Sequence, residues 1–276
     1  MWDKAVLIIV IAVLAYFLKN YSKVFNWITF NLYFSIFYIS NTLIMIIWPF
    51  PILNGRTVKN AKLWARILKH ATKLYGIQWE LRNGEVLAKD RGAVIVANHQ
   101  STLDVTGMYH IWETADKVTA IVKKELFYVW PMGLAAYLGG AVFIDRKNPK
   151  NAYAQLKVTA DVMTKEKTKI WVFPEGTRNF DYTKFLPFKK GAFTMAVAAQ
   201  TPIIPLVFSP YYFIDRKNYT ISKARVIVKC LDEVPTTGLT MEDVPELIER
   251  VRNMMLAAYK ELSDEVLPTL KSKSAD

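Results

Sequence analysis

Cysteine and histidine are scarce in this chain of 276 residues, which contains one cysteine and three histidines. Because a disulfide needs two thiols, the lone Cys230 excludes an intrachain disulfide framework and also a cysteine-cluster metal site. His70, His99 and His110 leave little for a metal site built from imidazoles, so we expect no bound metal. The chain also lacks a G-x-S-x-G motif, so it predicts no serine nucleophile of the hydrolase type.

Acidic residues are outnumbered, with 24 aspartates and glutamates against 36 lysines and arginines, and the formal net charge is +12. This excess favours an anionic partner, and the candidate classes are nucleic acid, a phospholipid surface and a phosphorylated substrate. No nucleic-acid-binding motif is present and the cations cluster beside an apolar segment, so we expect no nucleic-acid partner.

Charge is absent from two apolar runs near the N-terminus, residues 5–18 and residues 24–55. The first is shorter than the roughly 20 residues that span a bilayer, whereas the second is long enough. The second run is interrupted by Asn26, Asn31 and Asn41. A spanning helix and a re-entrant hairpin therefore both stay open, with a buried core helix as the competing interpretation. We expect residues 1–55 to form a membrane-embedded hydrophobic hairpin or anchor.

Acidic residues are also absent from residues 56–75, where cations recur every three to four positions. These cations are Arg56, Lys59, Lys62, Arg66, Lys69 and Lys73. The spacing places them on one face of a helix that carries an apolar stripe elsewhere. We expect a basic amphipathic helix on the cytosolic surface of an anionic phospholipid membrane. An ordinary solvated helix face is the competing interpretation.

Beyond residue 76, short apolar runs alternate with helical patterns. The predicted strands are Ile77–Leu81, Ala93–Ala97, Val118–Val122, Ala141–Ile144, Ile170–Phe173, Ile203–Phe208 and Ala224–Cys230. The predicted helices are Leu103–Trp112, Pro149–Lys165, Lys190–Ala199 and Met241–Leu262, the last with a capping box of Thr240 and Asp243. This alternation predicts one α/β domain over residues 76–276, with a largely parallel sheet flanked by helices.

The segment NHQSTLD, residues 98–104, follows a predicted buried strand. Strand ends of this kind form the usual ligand-binding edge of an open α/β sheet. His99 has the chemistry of a general base, and Asp104 lies close enough in sequence to orient the imidazole. A His and an Asp at this spacing are common, so a turn without catalytic function is the competing interpretation.

The segment FPEGTR, residues 173–178, also ends a predicted strand. Gly176 and Thr177 lie in its turn, and Arg178 is suited to bind a phosphate through two hydrogen bonds. A tight turn with a local ion pair between Glu175 and Arg178 is the competing interpretation.

Two further segments follow the same pattern. GGAVFIDR, residues 139–146, brings Arg146 to a strand end, and TPIIPLVFS, residues 201–209, starts a buried strand with its prolines. The string FIDRKN occurs at residues 143–148 and again at residues 213–218. No longer period supports a repeat, so we interpret the second copy as coincidence.

In order and spacing, these four segments resemble the sequence blocks of the glycerolipid acyltransferase family, specifically the animal 1-acyl-sn-glycerol-3-phosphate acyltransferases. NHQSTLD resembles the N-H-x-x-x-x-D block, and GGAVFIDR, FPEGTR and TPIIPLVFS resemble the second, third and fourth blocks. The resemblance covers most of the chain after Arg56, and it includes the expectation of a hydrophobic N-terminus.

The resemblance implies acyl transfer from acyl-CoA to the sn-2 hydroxyl of lysophosphatidic acid (1-acyl-glycerol-3-phosphate), giving phosphatidic acid and CoA. His99 would be the general base, with Asp104 orienting it. Arg146 and the turn from Glu175 to Arg178 would hold the acceptor phosphate. No cofactor is expected, since acyl-CoA is a substrate.

The implied location is a membrane, that of the endoplasmic reticulum, with the catalytic domain facing the cytosol. Two alternatives stay open: an acyltransferase for glycerol-3-phosphate or another lysophospholipid, and a non-catalytic membrane-binding protein.

Overall fold

The structure is a computed structural model that describes residues 2–47, 53–144, 159–160 and 163–267. Its α-helices are α1 (Trp2–Ile47), α2 (Val58–Ala71), α3 (Asp104–Ala115), α4 (Met132–Leu138), α5 (Gly191–Ala198) and α6 (Val244–Val266). Its strands are β1 (Ile77–Arg82), β2 (Ala93–Ala97), β3 (Val118–Lys123), β4 (Val142–Ile144), β5 (Lys169–Val172), β6 (Ile203–Phe208), β7 (Ile214–Asp215), β8 (Thr220–Ile221) and β9 (Ala224–Cys230). Short 3₁₀ segments cover Thr72–Tyr75, Gly84–Ala88 and Lys124–Tyr128.

Seven strands form the main sheet in the order β1-β9-β6-β2-β5-β3-β4, and β7 pairs with β8 separately. From β6 to β4 neighbouring strands are parallel. β9 is antiparallel to β6 and parallel to β1. The expected largely parallel α/β sheet is confirmed. Because β2 lies between β6 and β5, the carboxyl ends of these three strands meet at one edge.

Helices cover both faces of the sheet, and the side chains of β2 show which helices lie on which face. All of its residues are buried, which explains why its sequence is a continuous apolar run. Ile95 faces a core shared with α2 and α3, whereas Val94 and Val96 face a second core shared with α5 and α6. The alternation along β2 therefore places one apolar core on each side of the sheet.

Gly107 lets α3 lie close to the sheet. A Cβ atom at this position would come within 2.5 Å of Trp79 and 2.6 Å of Phe208. Only glycine fits there without displacing these rings. The close approach holds the first turn of α3, which begins at Asp104, near the carboxyl ends of the central strands.

The N-terminal segment is one continuous helix of 46 residues, α1, so the described residues do not form the expected hairpin. Its C-terminal part packs on the α/β domain, where Phe37 is buried. Asn41 accepts a hydrogen bond from the Tyr109 hydroxyl at 3.1 Å, and Asn26 donates to the Asn218 carbonyl at 3.3 Å. These two asparagines therefore bind the domain, which explains their place in an apolar run.

Several apolar side chains in the N-terminal part of α1 are exposed. Val10, Leu14 and Phe17 are 46%, 55% and 64% exposed. Within the described ranges, no helix combines the length and the apolar character that crossing a membrane requires. The membrane anchor accordingly stays a prediction.

The cationic helix α2 binds acidic residues of the protein itself. Its apolar side buries Trp64 against the core that it shares with α3. On its charged side, Lys62 pairs with Asp116 and Lys69 pairs with Glu113. Partly exposed ion pairs of this kind contribute little stability, typically below about 1 kcal/mol. The contact of this helix with a membrane surface stays a prediction.

The last helix begins at Val244, later than the sequence predicts. The main-chain N–H and the hydroxyl of Thr240 both donate to Asp243 Oδ2, at 2.7 and 2.9 Å. The Thr240 hydroxyl oxygen also accepts the N–H of Glu242 at 3.3 Å. Thr240 and Asp243 therefore make capping-box contacts as predicted, but in the turn that precedes the helix, whose N-cap residue is Asp243. Pro245 lies in the first turn, where its missing N–H costs nothing. Most of the predicted helix Pro149–Lys165 lies outside the described residues.

Candidate active site

Three neighbouring strand ends build the candidate site. β2 ends before the turn that carries His99, β5 ends before Glu175, and β6 ends before Ser209. Since these strands are parallel, the topology alone brings the first, third and fourth sequence blocks to one edge of the sheet.

His99 and Asp104 are in direct contact, with 2.6 Å between His99 Nδ1 and Asp104 Oδ2. Asp104 is 1% exposed and also accepts the main-chain N–H groups of Gln100 at 2.9 Å and Ser101 at 3.1 Å. Donors of this kind favour an ionised carboxylate. An ionised Asp104 needs a proton on Nδ1, which leaves Nε2 as the basic nitrogen of His99.

The imidazole of His99 is also fixed by packing. It stacks on the ring of Phe173 with 3.9 Å between centroids and 13° between planes. The His99 side chain stays 22% exposed, so one side of the ring is open to solvent. The ring is thus oriented by Asp104 and Phe173 and accessible to a substrate.

Glu175 holds two loops together at this edge. Its Oε1 accepts the main-chain N–H of His99 and its Oε2 accepts that of Leu186, both at 2.9 Å. Glu175 is 2% exposed, and burial raises the pKa of its carboxyl, while the two N–H donors act in the opposite direction. Both oxygens are bound by main chain, so the alternative of a local ion pair with Arg178 is not what the structure shows.

The turn after Glu175 has its own requirement for glycine. Gly176 has a φ of +72°, and a Cβ there would come within 2.9 Å of the Lys189 side chain. Its N–H donates to the Phe173 carbonyl at 3.0 Å. Thr177 and Arg178 follow in exposed positions at the sheet edge.

Arg178 lies beside an aromatic ring. Its Cζ atom is 5.8 Å from the centroid of Phe180, which is 54% exposed. The chain then returns to the turn that carries His99, where the N–H of Asn179 donates to the His99 carbonyl at 2.7 Å.

Arg146 lies outside the described residues, which stop at Ile144 in this part of the chain. The described part of its block shows why a glycine pair precedes β4. Gly140 has a φ of +81°, and a Cβ there would come within 3.0 Å of Val58 at the start of α2. β4 is the edge strand, three positions from β2, which at about 4.8 Å per strand is roughly 14 Å.

Two residues that flank His99 were missed by the sequence analysis. Asn98 exchanges two hydrogen bonds with the main chain of Phe208, at 2.8 and 3.0 Å. Gln100 donates to the Ser209 carbonyl at 2.9 Å and accepts the N–H of Tyr211 at 3.0 Å. These contacts fix the turn that carries His99 to the end of β6. The available signal was two amide side chains directly after a fully apolar strand, where buried amides need partners.

Tyr211 lies next to Asp104. It is buried, and both this burial and the nearby charge of Asp104 raise the pKa of its hydroxyl far above the ordinary value. Tyr211 therefore stays protonated and contributes no charge to the site.

The arrangement suits proton abstraction from a hydroxyl group. A neutral imidazole with a buried carboxylate behind it can take a proton and is stabilised once charged. Cys230, the one thiol, lies buried in β9.

Comparisons with known proteins identify the family of the chain. The sequence model of the Acyltransferase family matches residues 78–209. The human 1-acyl-sn-glycerol-3-phosphate acyltransferase alpha is 40% identical over 218 residues, which are 79% of this chain and 76% of that protein. The human beta form is 38% identical over 76% of this chain and 74% of its own length.

A solved structure has the same fold. The crystal structure of the 1-acyl-sn-glycerophosphate (LPA) acyltransferase PlsC from Thermotoga maritima superposes with a TM-score of 0.64 at 21% identity. It covers 87% of this chain and 98% of its own. The fold, the spacing of the motifs and the identity to the human proteins lead to one conclusion: the chain belongs to the 1-acyl-sn-glycerol-3-phosphate acyltransferase family.

Proposed function

We propose that this protein transfers an acyl chain from acyl-CoA to the sn-2 hydroxyl of 1-acyl-sn-glycerol-3-phosphate, giving phosphatidic acid and CoA. The observation that carries the proposal is the contact of 2.6 Å between His99 Nδ1 and Asp104 Oδ2 at a ligand-binding sheet edge. The names of the human relatives give the acceptor by similarity.

The proposed reaction uses His99 as a general base. Nε2 of His99 removes the proton of the sn-2 hydroxyl while the oxygen attacks the thioester carbonyl carbon. The carbon–sulfur bond then breaks, the acyl group stays on the acceptor oxygen, and the CoA sulfur leaves and takes the proton from Nε2 of the His99 imidazolium. Asp104 stabilises the imidazolium between these steps. No covalent acyl-enzyme is part of this route.

We assign the binding of the acceptor phosphate to arginine side chains. Arg178 is the described candidate, and Arg146 is proposed from the sequence motif alone. Glu175 has both oxygens on main-chain N–H groups, so we assign it to positioning His99. A buried carboxylate beside a phosphate would repel it, which supports this division.

We further propose that the enzyme works at an anionic membrane, that of the endoplasmic reticulum, with its catalytic domain on the cytosolic side. The support is the exposed apolar surface of α1 around Leu14 and Phe17 together with the cations of α2. Both substrates are amphiphiles, so such a surface would bring the site to them. Flotation of the purified chain with neutral and with anionic liposomes tests this location.

The function is tested with the purified full chain, oleoyl-CoA and 1-oleoyl-glycerol-3-phosphate, by measuring phosphatidic acid and free thiol. We expect stoichiometric formation of both products. A His99→Ala variant should lose about 10²–10⁴ in rate. His70→Ala is the matched control because His70 is exposed on α2. Turnover with glycerol-3-phosphate or another lysophospholipid, and none with 1-oleoyl-glycerol-3-phosphate, would overturn the proposal.

A further inference from the structure

Two arginines share one aromatic ring beside the catalytic turn, residues 98–104, which carries the proposed base His99. The Cζ atom of Arg216 lies 3.8 Å from the centroid of Phe180, and that of Arg178 lies 5.8 Å from the same centroid. Arg216 belongs to the second copy of FIDRKN, which the sequence alone presents as a coincidence. The structure places it next to the third sequence block.

The sheet topology explains this meeting. Arg178 lies in the loop after β5, and Arg216 follows β7 in the segment after β6. β5 and β6 are the two strands on either side of β2. His99 follows β2 itself. Loops from both flanking strands therefore converge above the strand end that carries the base.

The two cations have no acidic partner in the part of the chain that the structure describes. The nearest candidate in sequence, Asp215, is engaged in its own turn, where Oδ1 accepts the N–H groups of Lys217 and Asn218 at 2.9 and 3.0 Å. Arg216 is exposed, and partial desolvation together with the neighbouring charge of Arg178 lowers its pKa. A pair of like charges held close without a counter-charge is stabilised when an anion binds between them.

A small cleft lies between Arg216 and the catalytic turn. Its lining includes Gln100, Tyr211, Ile214, Phe180 and Arg216. Gln100 is the residue after His99, and its side chain is fixed by Ser209 and Tyr211. An anion at Arg216 would thus lie in the same cleft as the catalytic turn.

We propose that Arg216, together with Arg178, forms the binding site for the phosphate monoester of the acceptor. This inference rests on the proposed function and adds to it a residue that the four sequence blocks do not contain. Only a short run of bonds separates the sn-2 hydroxyl from the phosphate, so the phosphate site has to lie next to His99. The guanidinium groups offer paired N–H donors that match phosphate oxygens, and Phe180 holds both in place.

Kinetics with each substrate varied separately test the assignment. Arg216→Ala should raise the KM for 1-oleoyl-glycerol-3-phosphate by about 10- to 100-fold and leave the KM for oleoyl-CoA unchanged. Lys217→Gln is the matched control, because it removes an exposed cation from the neighbouring position. Arg216→Lys keeps the charge and should recover part of the affinity. A rise confined to the oleoyl-CoA KM would assign Arg216 to the phosphates of CoA and overturn the proposal.

Binding without turnover separates this inference from the proposed function. The thermal unfolding midpoint of each variant is measured in detergent with 1-oleoyl-glycerol-3-phosphate and with 1-oleoylglycerol, which lacks the phosphate. We expect a phosphate-dependent rise in the wild type and in Lys217→Gln, and none in Arg216→Ala. The same rise in Arg216→Ala, or no phosphate-dependent rise in the wild type, would overturn the arginine site. Absence of turnover with an intact binding difference would overturn the proposed function alone.

Discussion

The catalytic turn and the arginine pair lie at the same edge of the sheet but differ in how their polar groups are satisfied. Around His99, Asp104 accepts hydrogen bonds from the imidazole and from main-chain N–H groups, and Glu175 accepts two more. Arg178 and Arg216, by contrast, contact an aromatic ring and, within the described ranges, no carboxylate.

We infer from this difference that the two regions have separate functions in the proposed reaction. The catalytic turn is complete before a substrate binds, which is the condition for an oriented base that loses no energy to reorganisation. The arginine pair lacks a counter-charge until an anion binds. We therefore expect changes in the turn to reduce kcat and changes in the arginine pair to raise the acceptor KM.

The largest effect should come from Asp104→Asn. The amide cannot stabilise the imidazolium, and its NH₂ group favours the wrong tautomer of His99, so kcat should fall by about 10²–10⁴. Steady-state acyl transfer measures the loss. Asp232→Asn, at an exposed site, is the control. A folded Asp104→Asn protein with normal kcat would remove the distinction between the two regions.

Arg178→Lys should have the next largest effect. The charge is kept but the paired donors are lost, so the KM for 1-oleoyl-glycerol-3-phosphate should rise by about 10-fold at unchanged kcat. Arg250→Lys on the exposed side of α6 serves as the control in the same assay. An unchanged acceptor KM would mean that charge alone suffices at this position.

Glu175→Gln tests whether the Glu175 carboxylate stabilises the turn that carries His99. One of the two N–H donors, that of His99 or that of Leu186, would face an NH₂ group and lose its acceptor. The free energy of unfolding should fall by about 1–3 kcal/mol, with kcat reduced because His99 shifts. Urea unfolding followed by fluorescence measures the change, with the exposed Glu249→Gln as the control. Equal stabilities of the two variants would show that Glu175 does not hold the turn.

The difference in the free energy of unfolding between the wild type and Glu175→Gln should change with pH in a defined direction. Burial raises the pKa of Glu175 in the folded protein, so the folded state binds its proton more tightly than the unfolded chain. Stability from this group is complete below the unfolded pKa and is lost as the pH rises through the folded value. The stability deficit of Glu175→Gln should thus shrink as the pH rises from about 4 to 7. A deficit that grows over this range would contradict the assigned direction.

The smallest expected effect concerns Cys230. The thiol is buried in β9, and burial raises its pKa to about 12, so almost no thiolate is present at neutral pH. Iodoacetamide should leave the native protein unmodified and fully active, and urea should expose the thiol to reaction. Rapid loss of activity with iodoacetamide under native conditions would show that Cys230 has a function outside both regions.

The sequence predicts the sheet well because its central strands are buried on both faces and read as continuous apolar runs, as in β2 and β6. It also predicts the pairing of His99 with Asp104, since both follow one strand end. It predicts α1 less well, because Asn26 and Asn41 bind residues far away in the chain.

The neighbours of the site depend on contacts that no local pattern contains. Glu175 receives the N–H of His99 only because β5 lies beside β2, and Arg216 approaches Phe180 only because β6 lies on the other side. Strand order is a property of the whole fold, so these two assignments needed the structure.

The most direct test of the division between base and anion site is one set of steady-state measurements on His99→Ala and Arg178→Ala with both substrates varied. We predict that His99→Ala lowers kcat by about 10²–10⁴ with little change in the acceptor KM. We predict that Arg178→Ala raises the KM for 1-oleoyl-glycerol-3-phosphate by about 10- to 100-fold with kcat retained. A folded His99→Ala protein with normal kcat, or an Arg178→Ala protein with reduced kcat and unchanged KM, would contradict the account.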